Sequence, residues 1–203
     1  MSLRGKRIAE ITRADIRNLV VSRVAEDLFQ EFKREILHPA KPADKLNEEK
    51  GDLVADFVAF ANAQGGHLIV GIDQDEAGRA HELVTMPGDS ARSLGSSLRD
   101  LAISHIRPPI ALLEVQPVQL DGAGKEWVVI AAIPEGQDKP HMSTYNDGSR
   151  FVIRVGDRKR TLTYEEISRL FISGPRDQML SRLLLDISEI KAMVTALAPK
   201  SGT

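Results

Sequence analysis

Cysteine is absent from this 203-residue chain, which removes disulfides, thiolate nucleophiles and the usual structural zinc sites together. A reducing, cytoplasmic setting is therefore expected. Aromatic residues make up only 4% of the chain, with one tryptophan, so stacking of unpaired bases is a poor basis for any nucleic-acid contact. No apolar run approaches the roughly 20 residues that span a bilayer, and no signal peptide is evident, so no membrane partner is expected. Net charge is −2 with a pI near 6.2, so a polyanion partner has to meet a local patch. A phosphate-binding loop is missing too. Gly122-Ala123-Gly124-Lys125 lacks the spacing and hydroxyl residue of a P-loop and reads as a hairpin turn. Gly65-Gly66 follows a helical pattern, which puts it at the negative end of a helix dipole and away from anion chemistry. Histidines 38, 67, 81, 105 and 141 fall without ligand spacing.

What is present is ordinary globular patterning, at 42% hydrophobic and 28% charged residues. Thr12 is placed to cap a short helix carrying Ile16, Leu19, Val20 and Val24. Residues 28–33 read as strand or helix on local grounds. Leu53, Val54, Phe57, Val58 and Ala61 recur at helical steps, predicting a helix over residues 46–63 closed by Gly65 and Gly66. The run Leu68 to Ile72 predicts a central strand over 67–73 covered on both faces, with an acidic turn after it. Ser90 is placed to cap a helix to about Ile106, stopped by Pro108-Pro109. Apolar runs at 111–120 and 125–133 predict an antiparallel hairpin. Strands are expected at 140–144 and 151–155 around the turn signal Asn146-Asp147-Gly148, then helices at 164–172 and 176–198. The opening Met1-Ser2-Leu3 carries no fold signal. These elements divide as an N-terminal helix (1–23), a central α/β domain (24–174) and a C-terminal amphipathic helix (175–203).

Two stretches carry charge or pattern beyond architecture. Arg150, Arg154, Arg158, Lys159 and Arg160 stand within eleven residues against one acid, Asp157. In one extended strand Arg150, Arg154, Arg158 and Arg160 share a face, which suits a phosphate backbone or, alternatively, a charge-protected edge strand. In the last helix Leu180, Leu183, Ile187, Ile190, Val194 and Leu197 follow alternating steps of three and four. That seam suits a homo-oligomeric coiled coil or packing against its own domain.

The segments Glu26-Asp27-x-x-x-Glu31-Phe32-Lys33, Ala59-Phe60-Ala61-Asn62-x-x-Gly65-Gly66-x-Leu68-Ile69-x-Gly71-Ile72-Asp73, Ile106-x-Pro108 and Arg154-x-Gly156 together resemble the Schlafen AlbA_2 domain, also called divergent AAA-4. The likeness covers about residues 24–172. It implies an Alba-like α/β fold, a mixed β-sheet with packed helices in the order β-α-β-α-β-β plus extra strands, and it favours a strand at 28–33. It also implies DNA or RNA binding, often by transcriptional regulators. Eukaryotic Schlafen domains cut structured RNA with three carboxylates and a divalent metal. Glu26 and Glu31 match the first two positions. The third falls on Gln74, with Asp73 and Asp75 each displaced by one residue. The expectation is thus a nucleic-acid-binding module that is not an enzyme. The alternatives are a magnesium- or manganese-dependent nuclease using Glu26, Glu31 and Asp73 or Asp75, and a non-catalytic protein-assembly domain. For a shared metal site, the five-residue separation of Glu26 and Glu31 requires Glu26 to precede the strand, because an odd step along a strand changes face.

Overall fold

The computed structural model of the protein describes residues 3–172 and, beyond them, Leu183 and Ile187. The chain runs through α1 (Arg13–Val21), β1 (Gln30–Lys33), α2 (Ala43–Asn62), β2 (Gly66–Val70), β3 (Ile72–Gln74) and β4 (Ala80–Leu83). It continues as α3 (Gly88–His105), β5 (Ile106–Arg107), β6 (Glu114–Gln119), β7 (Trp127–Ile133), β8 (Met142–Ser143), β9 (Val152–Val155), β10 (Arg158–Thr161) and α4 (Tyr164–Ile172). The main sheet has the order β1-β2-β7-β6. Its β1-β2 pair is parallel and its other pairs are antiparallel. Chain order through this sheet is β1-α2-β2-α3-β6-β7, the α/β succession expected.

The sheet is covered on both faces because its strands alternate between two cores. Along β7, Val129, Ala131 and Ile133 pack with residues of α2 and α3, including Val54, Phe57, Leu98 and Ala102. Val128 and Ile130 face the other way, toward Leu3, Ile8, Ile11, Ile16 and Leu19. Full burial of each Leu, Ile or Phe contributes about 1.5–3 kcal/mol, which explains why β2 and β7 read as unbroken apolar runs. The N-terminal segment therefore forms the second covering layer. Leu3, which carried no fold signal, is only 1% exposed. A capping box holds the start of α1, with the Thr12 hydroxyl accepting from the Asp15 amide and the Asp15 carboxylate accepting from the Thr12 amide.

Several boundaries differ from expectation for identifiable reasons. The apolar run at 67–73 breaks at Gly71, whose φ is +113°. A Cβ there would stand 2.7 Å from the Val128 side chain. β3 leaves the main sheet at this break and pairs with β4, a strand that polar His81 and Glu82 conceal. α3 begins at Gly88 behind Pro87, without a side-chain cap, so Ser90 lies inside its first turn. Only Met142–Ser143 of the 140–144 segment is strand, paired with β5. The joint after α2 uses both glycines. The Gly65 amide donates to the Phe60 carbonyl at 2.9 Å. A Cβ at Gly65 would meet the Ile133 carbonyl at 2.6 Å, and one at Gly66 would meet the Phe29 carbonyl at the same distance. Of the C-terminal seam, Leu183 and Ile187 are helical and exposed. Leu180, Ile190, Val194 and Leu197 lie outside the described residues.

Candidate functional site

β1 sets the site by ordinary strand geometry: Glu31 and Lys33 are two residues apart and share a face. Lys33 Nζ lies 2.6 Å from Glu31 Oε1 and 3.7 Å from Asp56 Oδ2 on α2. Arg154 Nη1 of β9 meets Glu31 Oε2 at 2.8 Å. The rest of that guanidinium donates to the Asp27 and Gln30 carbonyls and lies over the Phe60 ring at 4.6 Å. Lys159 Nζ of β10 meets Asp56 Oδ1 at 2.8 Å and also reaches Asp52. Glu31, Asp56 and Arg154 are each less than 9% exposed, so the charges are largely removed from water. Buried charges of this kind persist only when paired.

Glu26 lies four residues ahead of β1. The intervening chain folds back, with the Asp27 amide donating to the Gln30 carbonyl and the Asp27 carboxylate accepting from the Phe29 amide. That turn brings the Glu26 carboxylate alongside β1, where it accepts from the Phe32 amide at 2.7 Å. Gln74 of β3 completes the arrangement. Its side-chain amide donates to Glu26 and, at 3.0 Å, to the Phe32 carbonyl. Burial pushes the Glu26 carboxyl up to about 7, reinforced by the charge of Glu31 and opposed by the Phe32 amide, Lys33 and Arg154. Burial also raises Asp56, against the pull of Lys159 and Lys33. Burial alone would lower Lys33, but Asp56 and Glu31 outweigh it and hold the ammonium above its usual range.

The other acids expected at a metal site point elsewhere. Asp73 pairs with Arg34 at 2.7 Å and accepts from the Gln74 amide. Asp75 sits in the β3-β4 turn, accepting from the Ala77 and Arg79 amides and pairing with Arg23 and Arg79. Those contacts, led by the Arg79 amide, hold it below the ordinary carboxylate range. Both oxygens of Glu31 already face cations, and Gln74 presents donors where a metal needs an oxygen lone pair. Among the described residues no group of three or more acids and histidines is arranged to hold a metal ion. The side chains present do not fit a divalent cation in this arrangement.

The basic stretch is also divided. Gly156, at φ +62°, and Asp157 turn the chain, and β10 returns beside β9 with Arg158 opposite Val155 and Lys159 opposite Arg154. Directly opposed residues share a face. Arg154 and Lys159 therefore point inward to Glu31 and Asp56, while Arg158 and Arg160 point outward. A single strand bearing Arg150, Arg154, Arg158 and Arg160 on one face is corrected by this turn. Arg160 is held by both oxygens of Glu166 on α4, at 2.6 and 2.7 Å. Arg150 and Arg158 are exposed and have no acid partner among the described residues. The sequence reading missed Asp56 and the inward role of Lys159. The available signal was a lone acid inside the apolar face Leu53-Val54-Ala55-Asp56-Phe57.

Comparison with known proteins adds a lineage to this geometry. The family model described as Schlafen, AlbA_2 matches residues 26–163. Among solved structures, the crystal structure of the DIP2311 protein from Corynebacterium diphtheriae is similar at a TM-score of 0.45 and 22% identity. The alignment covers 73% of this chain and 26% of that one. No protein of curated function matches the chain. With the family pattern matched from Glu26 through Thr163, more than half of its length, the chain belongs to the Schlafen AlbA_2 family.

Proposed function

We propose that this protein is a nucleic-acid-binding module whose contact surface is the β9-β10 hairpin, consistent with a regulatory role in a reducing cytoplasm. The observation that carries this reading is the division of the basic stretch. Arg154 and Lys159 neutralise Glu31 and Asp56 and fix the hairpin to the sheet, which leaves Arg150 and Arg158 exposed and without acid partners among the described residues. Arg158 on the fixed ribbon and Arg150, which pairs with Ser143 just ahead of β9, present exposed guanidinium groups that attract phosphate with little dependence on sequence. The scarcity of aromatic residues favours backbone contacts over base stacking. Fluorescence anisotropy with a labelled mixed-sequence duplex tests it. Arg150→Ala together with Arg158→Ala is expected to weaken binding on every sequence tried and to make the salt dependence shallower by about two contacts. Unchanged affinity at low salt would refute the assignment.

A further inference from the structure

A cavity of about 470 Å³ lies between the first turns of α2 and the chain leaving β1. Its charges do not balance. Lys33, Lys41 and Lys45 stand against five carboxylates, and each ammonium is already committed. Lys33 is held by Glu31 at 2.6 Å, Lys41 by Glu49 at 2.8 Å and Lys45 by Glu48 at 2.8 Å. Glu35 is exposed and has no ion pair among the described residues. Asp52, with its side chain 67% exposed, reaches Lys159 only at 3.5 Å. Asp56 is the deepest acid, its side chain 3% exposed. Its Oδ1 turns to Lys159, which is not part of the cavity wall. Its Oδ2 has no hydrogen-bond partner, and Lys33, in the wall, lies 3.7 Å from it. A buried carboxylate oxygen left without a donor is costly. Burial pushes the Asp56 carboxyl up against the pull of Lys159 and Lys33, so a further cation at this oxygen is favoured.

The unmet charge calls for a cation that carries N–H donors. A metal ion does not fit, because among the described residues no group of three or more acids and histidines is arranged to hold one. Beside the acids the wall is apolar, formed by the buried side chains of Ile36 and Leu53. Such a wall suits a carbon chain that ends in a charge better than it suits a hydrated ion. Asp52 and Asp56 are one turn apart on α2, about 6 Å of rise, a span that an extended four-carbon diamine matches. We infer that this cavity binds a linear aliphatic diamine or triamine, with one ammonium on Asp56 Oδ2, another on Asp52 and the carbon chain against Ile36 and Leu53. Glu35, on the opposite wall, meets the third ammonium of a triamine. Lys33 does not repel the ligand strongly, since Glu31 already neutralises it. Neither Arg150 nor Arg158 takes part, so the inference stands apart from the nucleic-acid reading.

Isothermal titration calorimetry of the full chain tests it with 1,4-diaminobutane, spermidine, butylamine, 4-aminobutanoate and magnesium chloride. The diamine and spermidine are expected to bind one molecule per chain, spermidine the more tightly. Butylamine, with a single ammonium, is expected to bind at least about ten-fold more weakly than the diamine. 4-Aminobutanoate, which puts a carboxylate in place of the second ammonium, is expected to give no binding heat. Asp52→Asn alters an exposed side chain and is expected to weaken the diamine by about five-fold or more, with an unchanged melting temperature. Asp56→Asn is expected to abolish binding; should that variant fail to fold, Asp52→Asn and the ligand series still decide the matter. Absence of diamine binding at low salt overturns the inference, as does equal affinity for butylamine or magnesium, or unchanged affinity in Asp52→Asn. A lysine-rich peptide that binds more tightly than spermidine would assign the acids to a protein partner and overturn the free-amine reading.

Discussion

Gln74 occupies a position where an acid would change the chemistry of its surroundings. Its amide donates to Glu26 and to the Phe32 carbonyl, whereas an aspartate could donate to neither and would add charge beside a carboxyl already pushed up to about 7. Glu26 makes the effect measurable. Its folded pKa is raised, so the folded state binds the proton more tightly than the unfolded chain between the ordinary 4.5 and about 7. Unfolding then releases a proton, and stability falls as pH rises through that window. Because the group is partly exposed, a loss of about 1–2 kcal/mol is expected after allowing for solvent screening. Glu26→Gln keeps an acceptor for the Phe32 amide and removes the titration. Thermal melting of this variant between pH 5 and 7.5 should show less loss of stability with rising pH than the parent; parallel profiles would refute the assignment. Asp15 and Glu166, each held at about 2, lose their contributions at lower pH, whereas His67, which burial lowers from 6.5, adds stability as pH rises within the window, so it is the difference between variant and parent that isolates Glu26. Little of this was legible in sequence. Glu26 and Glu31 stand out as acids, but their relation depends on the fold-back at residues 27–30 and on a glutamine arriving from β3.

At the scale of elements, the β9-β10 hairpin is attached as much by charge as by apolar contact. Lys159→Ala would leave Asp56 buried with only Lys33 nearby, at 3.7 Å. Removing one partner of a buried ion pair costs about 3–5 kcal/mol, and the remaining lysine should reduce this to about 2–3 kcal/mol. Adding Asp56→Ala is expected to recover most of that loss, because the uncompensated charge leaves with it. Urea denaturation of the two single variants and the double variant measures the coupling. Strictly additive losses would show that the pair does not interact. The elements most legible in the sequence were those with strong periodicity: α2, with Phe57 and Ala61 on its buried face, and the β6-β7 hairpin around Asp121. Those that escaped lacked such a pattern. β4 carries His81 and Glu82, and the turn at Gly156 was hidden inside a run of cations that reads equally well as one strand.

For the whole molecule, the two cores make the N-terminal segment a structural layer over β2 and β7. The family match begins only at residue 26, so this layer stands outside the matched pattern while completing its packing. The C-terminal seam carries a separate expectation. Leu183 and Ile187 are helical and exposed, consistent with the alternating three and four spacing that continues to Leu197. We propose self-association through that seam. Sedimentation of a chain ending at Gly174 should show fewer chains per assembly than the full-length protein, and an unchanged oligomeric state would remove the seam from consideration.

The outer edge of β1 bears on behaviour in crowded solution. An uncovered edge strand offers free amides and carbonyls on which another chain can add a strand, the first step toward templated aggregation. Here the Phe32 amide and carbonyl and the Gln30 carbonyl are already met by the Glu26, Gln74 and Arg154 side chains. β6, the opposite edge of the sheet, carries Pro117, a residue with no amide hydrogen to lend to a newcomer. One border of the sheet is thus closed by polar side chains and the other interrupted by an imino acid, so the same contacts that organise the candidate site also help keep separate copies of the sheet from joining edge to edge.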